Sequence, residues 1–429
     1  MNSDKKAYKL FSLKYLAYLF VFFFFFYDCF FSQVNYSTNS ILGYVGIVIF
    51  FVFNIKTKVI KMTKRDFYCL FLFFIMIFWA IMVLFFNNSL DLTFIRNEII
   101  RNIVFPLFSS FLVAWLGRKI IKDISDYHRI ILLVSVIQCI IILCCFVLPE
   151  FKEYIISIQT ISAREILSLE SGIRSVGLGT RFDFGSFTMS VALLSTSYLY
   201  LTTTSSKEKN ILIIIYILQV ISGLFLARSI SIGLIISLIF ILIFDRKIIK
   251  KIRFIFFASI IVLIIVFSIL IIFPEFITKY SDTFKWMFQY IPNNNTYSAN
   301  SPNTLKTIFE DMYFLPEHFK TWLIGDGIFS NSIGNAYKGT DPLYMRYILY
   351  WGIPGLTVFI GFLSSCVIKL RSNGMHCFVD IKDEKVYRKY LLLMFLLCCT
   401  VYVKLNYHFF KILFLIGWFI YFKQKSIKQ

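Results

Sequence analysis

Blocks of about 20 apolar residues, each closed off by a charged cluster, recur along this sequence and constrain its fold more than any other feature. A helix of that length crosses the hydrocarbon core of a bilayer. The blocks lie near 15–32, 41–55, 67–86, 102–117, 130–148, 184–202, 210–226, 229–244, 254–273, 343–368, 390–403 and 409–422. They bring the hydrophobic share of the 429 residues to 58%, against roughly 45–50% in soluble domains. In lipid a spanning segment must satisfy its own backbone polar groups, so the blocks predict an all-α polytopic membrane protein of 12 transmembrane helices, a single integral membrane domain over 1–429. The first block carries no small-residue cleavage site and many blocks follow it, so it reads as a span and not a signal peptide. No internal repeat of the transporter kind is visible.

The net charge of +20 could suggest a nucleic-acid surface, but its placement argues against one. Seven clusters, beginning at Lys5, Lys56, Arg118, Lys207, Arg246, Lys369 and Lys423, hold 29 of the 44 Lys and Arg but only 9 of the 24 Asp and Glu. The rest of the chain is then electrically neutral. The clusters fall on every second loop, which is the pattern of basic loops retained in the cytoplasm. Both termini are therefore expected in the cytoplasm, with no nucleic-acid partner. Of the nine Cys, all but Cys377 lie in apolar blocks, so no disulfide framework is expected and the thiols read as small apolar residues.

Two loops on the opposite, neutral face are long: a first from 149 to 183 and a second from 274 to 342. A watery face tolerates charged substrates, so chemistry is expected in these loops. The first ends Arg174-Ser175-Val176-Gly177-Leu178-Gly179-Thr180-Arg181, and Gly185 follows at the start of the next span. Glycines let a backbone approach a ligand, and arginine grips phosphate with a planar fork of donors. At residue level the two arginines suit either a substrate pyrophosphate, or lipid headgroups and Asp183. Arg228, between two apolar blocks, is either a snorkelling residue or a functional one. The second loop closes with Gly325-Asp326-Gly327 and Thr340-Asp341-Pro342, and the following span opens Leu343-Tyr344-Met345-Arg346 before Gly352-Ile353-Pro354-Gly355. Asp341 suits either a helix start or the acceptance of a proton from a sugar hydroxyl, and Arg346 suits phosphate. His318 is the sole histidine of the two long loops. Metal-ligand spacings, a P-loop and a dinucleotide fingerprint are all missing, so no metal and no cofactor is expected.

This pattern resembles the O-antigen polymerase (Wzy) family. The resemblance rests on the whole-chain layout, on Arg174 followed by ten residues and Gly185, and on the stretch from Leu323 to Leu356. In that stretch Gly325-x-Gly327 precedes Asp341-x-x-Tyr344-x-Arg346 and Gly352-Ile353-x-Gly355. One departure stands out: the family's second loop often carries its own Arg-x10-Gly motif, whereas here no Arg precedes Arg346, leaving Lys306 or Lys320 as substitutes.

The resemblance implies a GT-C-like helical bundle with two large periplasmic loops, and glycosyl transfer between lipid-linked substrates. A chain carried on undecaprenyl pyrophosphate moves to the non-reducing end of a new lipid-linked repeat unit. Asp341 and Arg174 are then the expected catalytic residues, with Arg181, Arg228, Arg346, His318 and Gly185 at the substrate. A chain-length regulator protein and membrane lipids are the further expected partners. The related O-antigen ligases share the layout but often place a His where Thr340-Asp341 stands here. A flippase of the same pathway would carry more polar residues along its spans.

Overall fold

The computed structural model describes residues 12–34, 36–57, 63–160, 175–179, 182–227, 229–244, 307–331, 336–372, 379–380, 383–404 and 410–427. Among these, every regular element is a helix, and pairing of extended backbone is confined to isolated bridges such as Phe31 with Gln159. Among the described residues five helices are long and apolar enough to cross a membrane: Lys64–Phe86, Ile95–Gly117, Ile124–Val147, Ser206–Leu226 and Leu343–Arg371. Leu13–Tyr27, Thr38–Phe53 and Ile230–Phe244 are shorter apolar helices. The chain is thus a multi-pass helical membrane protein. A helix stands at each block expected from sequence that falls in the described residues. The block at 254–273 lies outside them.

We label the elements α1 (Leu13–Tyr27), α2 (Thr38–Thr57), α3 (Lys64–Phe86), α4 (Phe105–Gly117, preceded by a π-helix over Ile95–Val104), α5 (Ile124–Val147), α6 (Pro149–Ser157), α7 (Phe182–Thr202), α8 (Ser206–Leu226) and α9 (Ile230–Phe244). After them come α10 (Phe319–Leu323), α11 (Leu343–Ser372), α12 (Glu384–Tyr402) and α13 (Phe410–Ile427).

Several boundaries differ from the expected blocks by about five to seven residues, two of them for identifiable reasons. The first helix ends at Tyr27, short of 32, because Asp28 takes a left-handed conformation (φ 51°) and the chain turns back. Thr38 locks that turn: its hydroxyl accepts from Cys29 N–H at 2.9 Å and donates to the Phe24 carbonyl at 2.8 Å. The fourth block starts earlier than 102, because the π-helix carries Arg96, Glu98 and Arg101 ahead of α4. Both long loops also contain helix, with α6 in the first and α10 in the second. Pro149 opens α6 at a position where its missing N–H costs nothing.

The chain divides into two compact units. The first comprises Met1–Asn39, Leu116–Asn293 and Phe378–Met394. Its centre is α7, buried from Gly185 to Tyr200. Small residues let neighbours approach: Ser186 and Ser229 hydroxyls meet at 2.8 Å, and a Cβ on Gly233 would fall 2.2 Å from Ser190 Oγ. A polar relay crosses the same core. Thr196 donates to Gln219 Oε1 at 2.9 Å, and Gln219 Nε2 donates to Ser135 Oγ at 2.6 Å, joining α7, α8 and α5.

The second unit comprises Ser40–Trp115, Asn294–Cys377 and Phe395–Gln429. Its core is aromatic. Phe94 stacks on Tyr350 at 4.1 Å between ring centroids and meets Trp351 at 4.5 Å. Offset and edge-on ring pairs of this kind contribute about 0.5–1.5 kcal/mol each beyond burial.

Candidate functional site

In the second unit the site grows from a break in α11. Gly352 leaves the helical region (φ 72°, ψ −176°), and Pro354 follows inside the helix. Proline has no N–H, so the carbonyl four residues earlier, that of Tyr350, loses its helical donor. Three carbonyls along the break instead find partners outside the helix. Leu349 accepts from Asp326 N–H at 2.6 Å, Tyr350 from Gly327 N–H at 3.0 Å, and Trp351 from Trp79 Nε1 at 2.9 Å. The end of the second loop is therefore sewn onto the broken helix. The fit admits only glycine at two points: a Cβ on Gly325 (φ 82°) would lie 2.2 Å from the Tyr350 oxygen, and one on Gly352 would lie 2.7 Å from the Leu323 carbonyl.

The turn between α3 and the π-helix holds the other side of this loop. Asn87 Nδ2 donates to the Gly325 carbonyl at 3.1 Å and Ser89 Oγ to the Gly327 carbonyl at 2.8 Å. Asp91 takes the N–H groups of Phe329 (2.6 Å) and Ser330 (3.2 Å) on one oxygen. Its other oxygen takes the N–H of Thr93 at 2.9 Å and the Thr93 hydroxyl. Burial works to raise the pKa of this carboxyl, but the Thr93 hydroxyl and the three N–H donors outweigh it and hold the group below its ordinary value.

On this frame sits Arg346, one turn into α11. Its guanidinium carbon lies 4.0 Å from the centroid of the Phe329 ring. Its Nε is buried and has no hydrogen-bond partner among the described residues. Phe329 is itself 3% exposed and meets Phe94 edge-on at 5.2 Å. Beside it, Tyr347 donates its hydroxyl to Glu98 Oε2 at 3.0 Å, an oxygen that also takes Asn102 Nδ2 at 3.2 Å. Glu98 is 3% exposed. A buried carboxylate in an apolar helix is costly unless bonded in this way, and marks functional sites by default. The arrangement presents a planar cation on an aromatic face with unused donor capacity, which is suited to an anion such as phosphate.

Asp341 is exposed and makes no hydrogen bond or ion pair among the described residues. Arg346 therefore pairs with a ring and not with Asp341, five residues before it. His318 stands exposed at the start of α10 and forms no side-chain cap. Asp326 of the glycine pair accepts from the Thr321 hydroxyl at 2.6 Å and lies 3.7 Å from Lys338 Nζ.

In the first unit, Arg174, Arg181 and Arg228 lie outside the described residues, as does Lys306 of the second loop. The segment between the first two arginines, Ser175–Gly179, is described and is tightly held. Ser175 N–H donates to the Phe225 carbonyl at 3.0 Å, and its hydroxyl to the Ile142 carbonyl at 2.7 Å. Gln159 Nε2 donates to the Gly177 carbonyl at 3.2 Å and its Oε1 accepts from Gly179 N–H at 2.7 Å. Gln138 Nε2 donates to the Leu178 carbonyl at 3.1 Å. Gly185 is buried in α7.

The sequence reading did not single out Asp91, Glu98, Phe329 or Gln159. Asp91 carried a weak signal, since Asp-x-Thr after a polar Asn-Asn-Ser run is a turn former. The chain matches no family model, no curated protein and no solved structure.

Proposed function

We propose that this protein is an inner-membrane glycosyltransferase that polymerises undecaprenyl-pyrophosphate-linked repeat units into O-antigen or a related surface polysaccharide on the periplasmic face. In this reading it crosses the membrane twelve times with both termini in the cytoplasm. The observation that carries the reading is Arg346: a cation with spare donors, held at the mouth of a span by the loop whose glycines carried the family resemblance. The neutral charge of the long loops and the basic charge of the alternate ones support this orientation.

The reaction needs little beyond placement and charge. A sugar hydroxyl of the incoming unit attacks the anomeric carbon of the growing chain, and the bond from that carbon to the pyrophosphate oxygen breaks. Asp341 takes the hydroxyl proton as general base. In the second unit Arg346 binds the pyrophosphate, whose charge grows as it leaves, and His318 is a substrate contact. For the first unit the family resemblance gives Arg174 and Arg181 a phosphate-binding role, and makes Arg228 and Gly185 substrate contacts. Glu98, through Tyr347, holds the helical turn that carries Arg346.

The cellular test reads the lipopolysaccharide of a strain whose only copy is Arg346→Ala. The account expects single repeat units on the lipid A core, since the separate ligase still acts. Bare core with polymer held on the lipid carrier would identify the protein as the ligase instead, and a normal ladder would remove Arg346 from the site.

A further inference from the structure

A second reactive constellation lies in the same unit, where α3 packs against α11. Cys69, in the second turn of α3, and Cys366, near the end of α11, are free thiols, and the residue just before Cys366 in the chain touches Cys69. Ser365 Oγ stands 3.3 Å from Cys69 Sγ. An ion pair flanks them: Lys369 Nζ on Asp66. Lys369 follows Cys366 by three residues and Asp66 precedes Cys69 by three, so on each helix the ion-pair partner lies one turn from the thiol, on the same face. Cys69 is part-exposed and Cys366 is buried.

We propose that Cys69 and Cys366 form an oxidisable pair, with Cys69 as the thiol that reacts and Cys366 as the thiol that resolves it. The thiolate is the reactive form, and a hydroxyl hydrogen bond and a nearby ammonium are groups that stabilise it. Asp66 offsets the ammonium in part but is itself neutralised by it. The oxidant class is a hydroperoxide. The Cys69 sulfur attacks one peroxide oxygen and hydroxide leaves, giving Cys69 sulfenic acid. The Cys366 sulfur then attacks Cys69 sulfur, the S–OH bond breaks, and water leaves. Two thiols and one hydrogen peroxide thus become one disulfide and two waters. This order follows from access, because the part-exposed Cys69 meets the oxidant before the buried Cys366, which is placed to capture the sulfenic acid. The bond would tie the start of α3 to the end of α11. The proposal stands apart from the glycosyltransferase reading.

The test uses the full chain in native membranes. Hydrogen peroxide is added, remaining thiols are capped with a maleimide, and peptides are identified by mass spectrometry before and after dithiothreitol. The expected result is a Cys69–Cys366 peptide that dithiothreitol releases, with two fewer maleimide sites per chain. In Cys366→Ser, dimedone should label Cys69; in Cys69→Ser, it should leave Cys366 unlabelled. The wild-type peptide map needs no variant to fold. Unchanged maleimide labelling of Cys69 and Cys366 after peroxide would overturn the pair, and dimedone on Cys366 in Cys69→Ser would overturn the assigned roles.

Discussion

The N–H of Gly327 donates across 3.0 Å to the carbonyl of Tyr350, the one carbonyl that Pro354 deprives of a helical donor. A loop and a broken helix thus complete each other: the break supplies acceptors, and the glycine loop supplies N–H groups shaped to reach them. A buried carbonyl left unpaired costs about 1–3 kcal/mol, so neither part is stable in this form alone.

Gly325→Ala should therefore be severe. The left-handed backbone costs a non-glycine residue about 1–2 kcal/mol, and the new Cβ would also press on the Tyr350 oxygen at 2.2 Å. Gly339→Ala is the control, since it shares the positive φ (70°) but meets nothing within 4 Å. Thermal unfolding in detergent should show a clearly larger loss for Gly325→Ala. Equal losses would mean that the loop does not rest on α11.

Asp91 gives the protein an acid-sensitive clamp. Its folded pKa lies below the ordinary value, which is about 3.9 in an unfolded chain. Its contribution is present in full above that unfolded value and fades as pH falls through the lower, folded one. Unfolding midpoints measured from pH 7 down to pH 3 should fall more steeply for wild type than for Asp91→Asn in the acid limb. Asn keeps one acceptor but cannot be protonated in that range, so parallel curves would remove Asp91 from the clamp.

Glu98 separates charge from bonding. Glu98→Gln keeps an acceptor for the Tyr347 hydroxyl, whereas Glu98→Ala takes it away, at a cost of about 1–3 kcal/mol. Polymer formed per correctly inserted protein should rank wild type, then Gln, then Ala. If Ala matches wild type, the Tyr347 contact does not position Arg346.

The sequence disclosed the helices because lipid leaves one solution for a long apolar block. It also disclosed the glycines at 325, 327 and 352, since these residues stand where side chains cannot. What it hid were residues whose roles depend on distant partners. Asp91 acts on Phe329 and Ser330, some 238 residues away, and Glu98 on Tyr347, 249 away. Nothing local to either acid records such a pairing. Gln159 was hidden likewise, as a polar loop residue whose side-chain bonds to the backbone of Gly177 and Gly179 appear only once the chain is folded. The early end of α1 depended in the same way on Thr38, which lies 14 residues from the carbonyl it caps.

Arg174 immediately precedes in sequence the tightly held segment Ser175–Gly179. If Arg174 binds the substrate pyrophosphate as proposed, replacing it with Ala removes a charge-assisted contact of about 1.5–3 kcal/mol, and turnover should drop by about one to two orders of magnitude. Arg174→Lys keeps the charge without the fork and should recover only part of the rate. A well-expressed Arg174→Ala with full turnover would place the pyrophosphate elsewhere.

The central claim is polymerisation, and reconstitution measures it directly. The full chain, purified into liposomes, is given a synthetic undecaprenyl-pyrophosphate-linked repeat unit, and products are resolved by gel and mass spectrometry. The account predicts lipid-linked products that grow by whole repeat units, one undecaprenyl pyrophosphate released per step, and loss of both with Arg346→Ala. Lipid-linked substrate that stays one unit long, but is transferred once lipid A core is supplied, would contradict it.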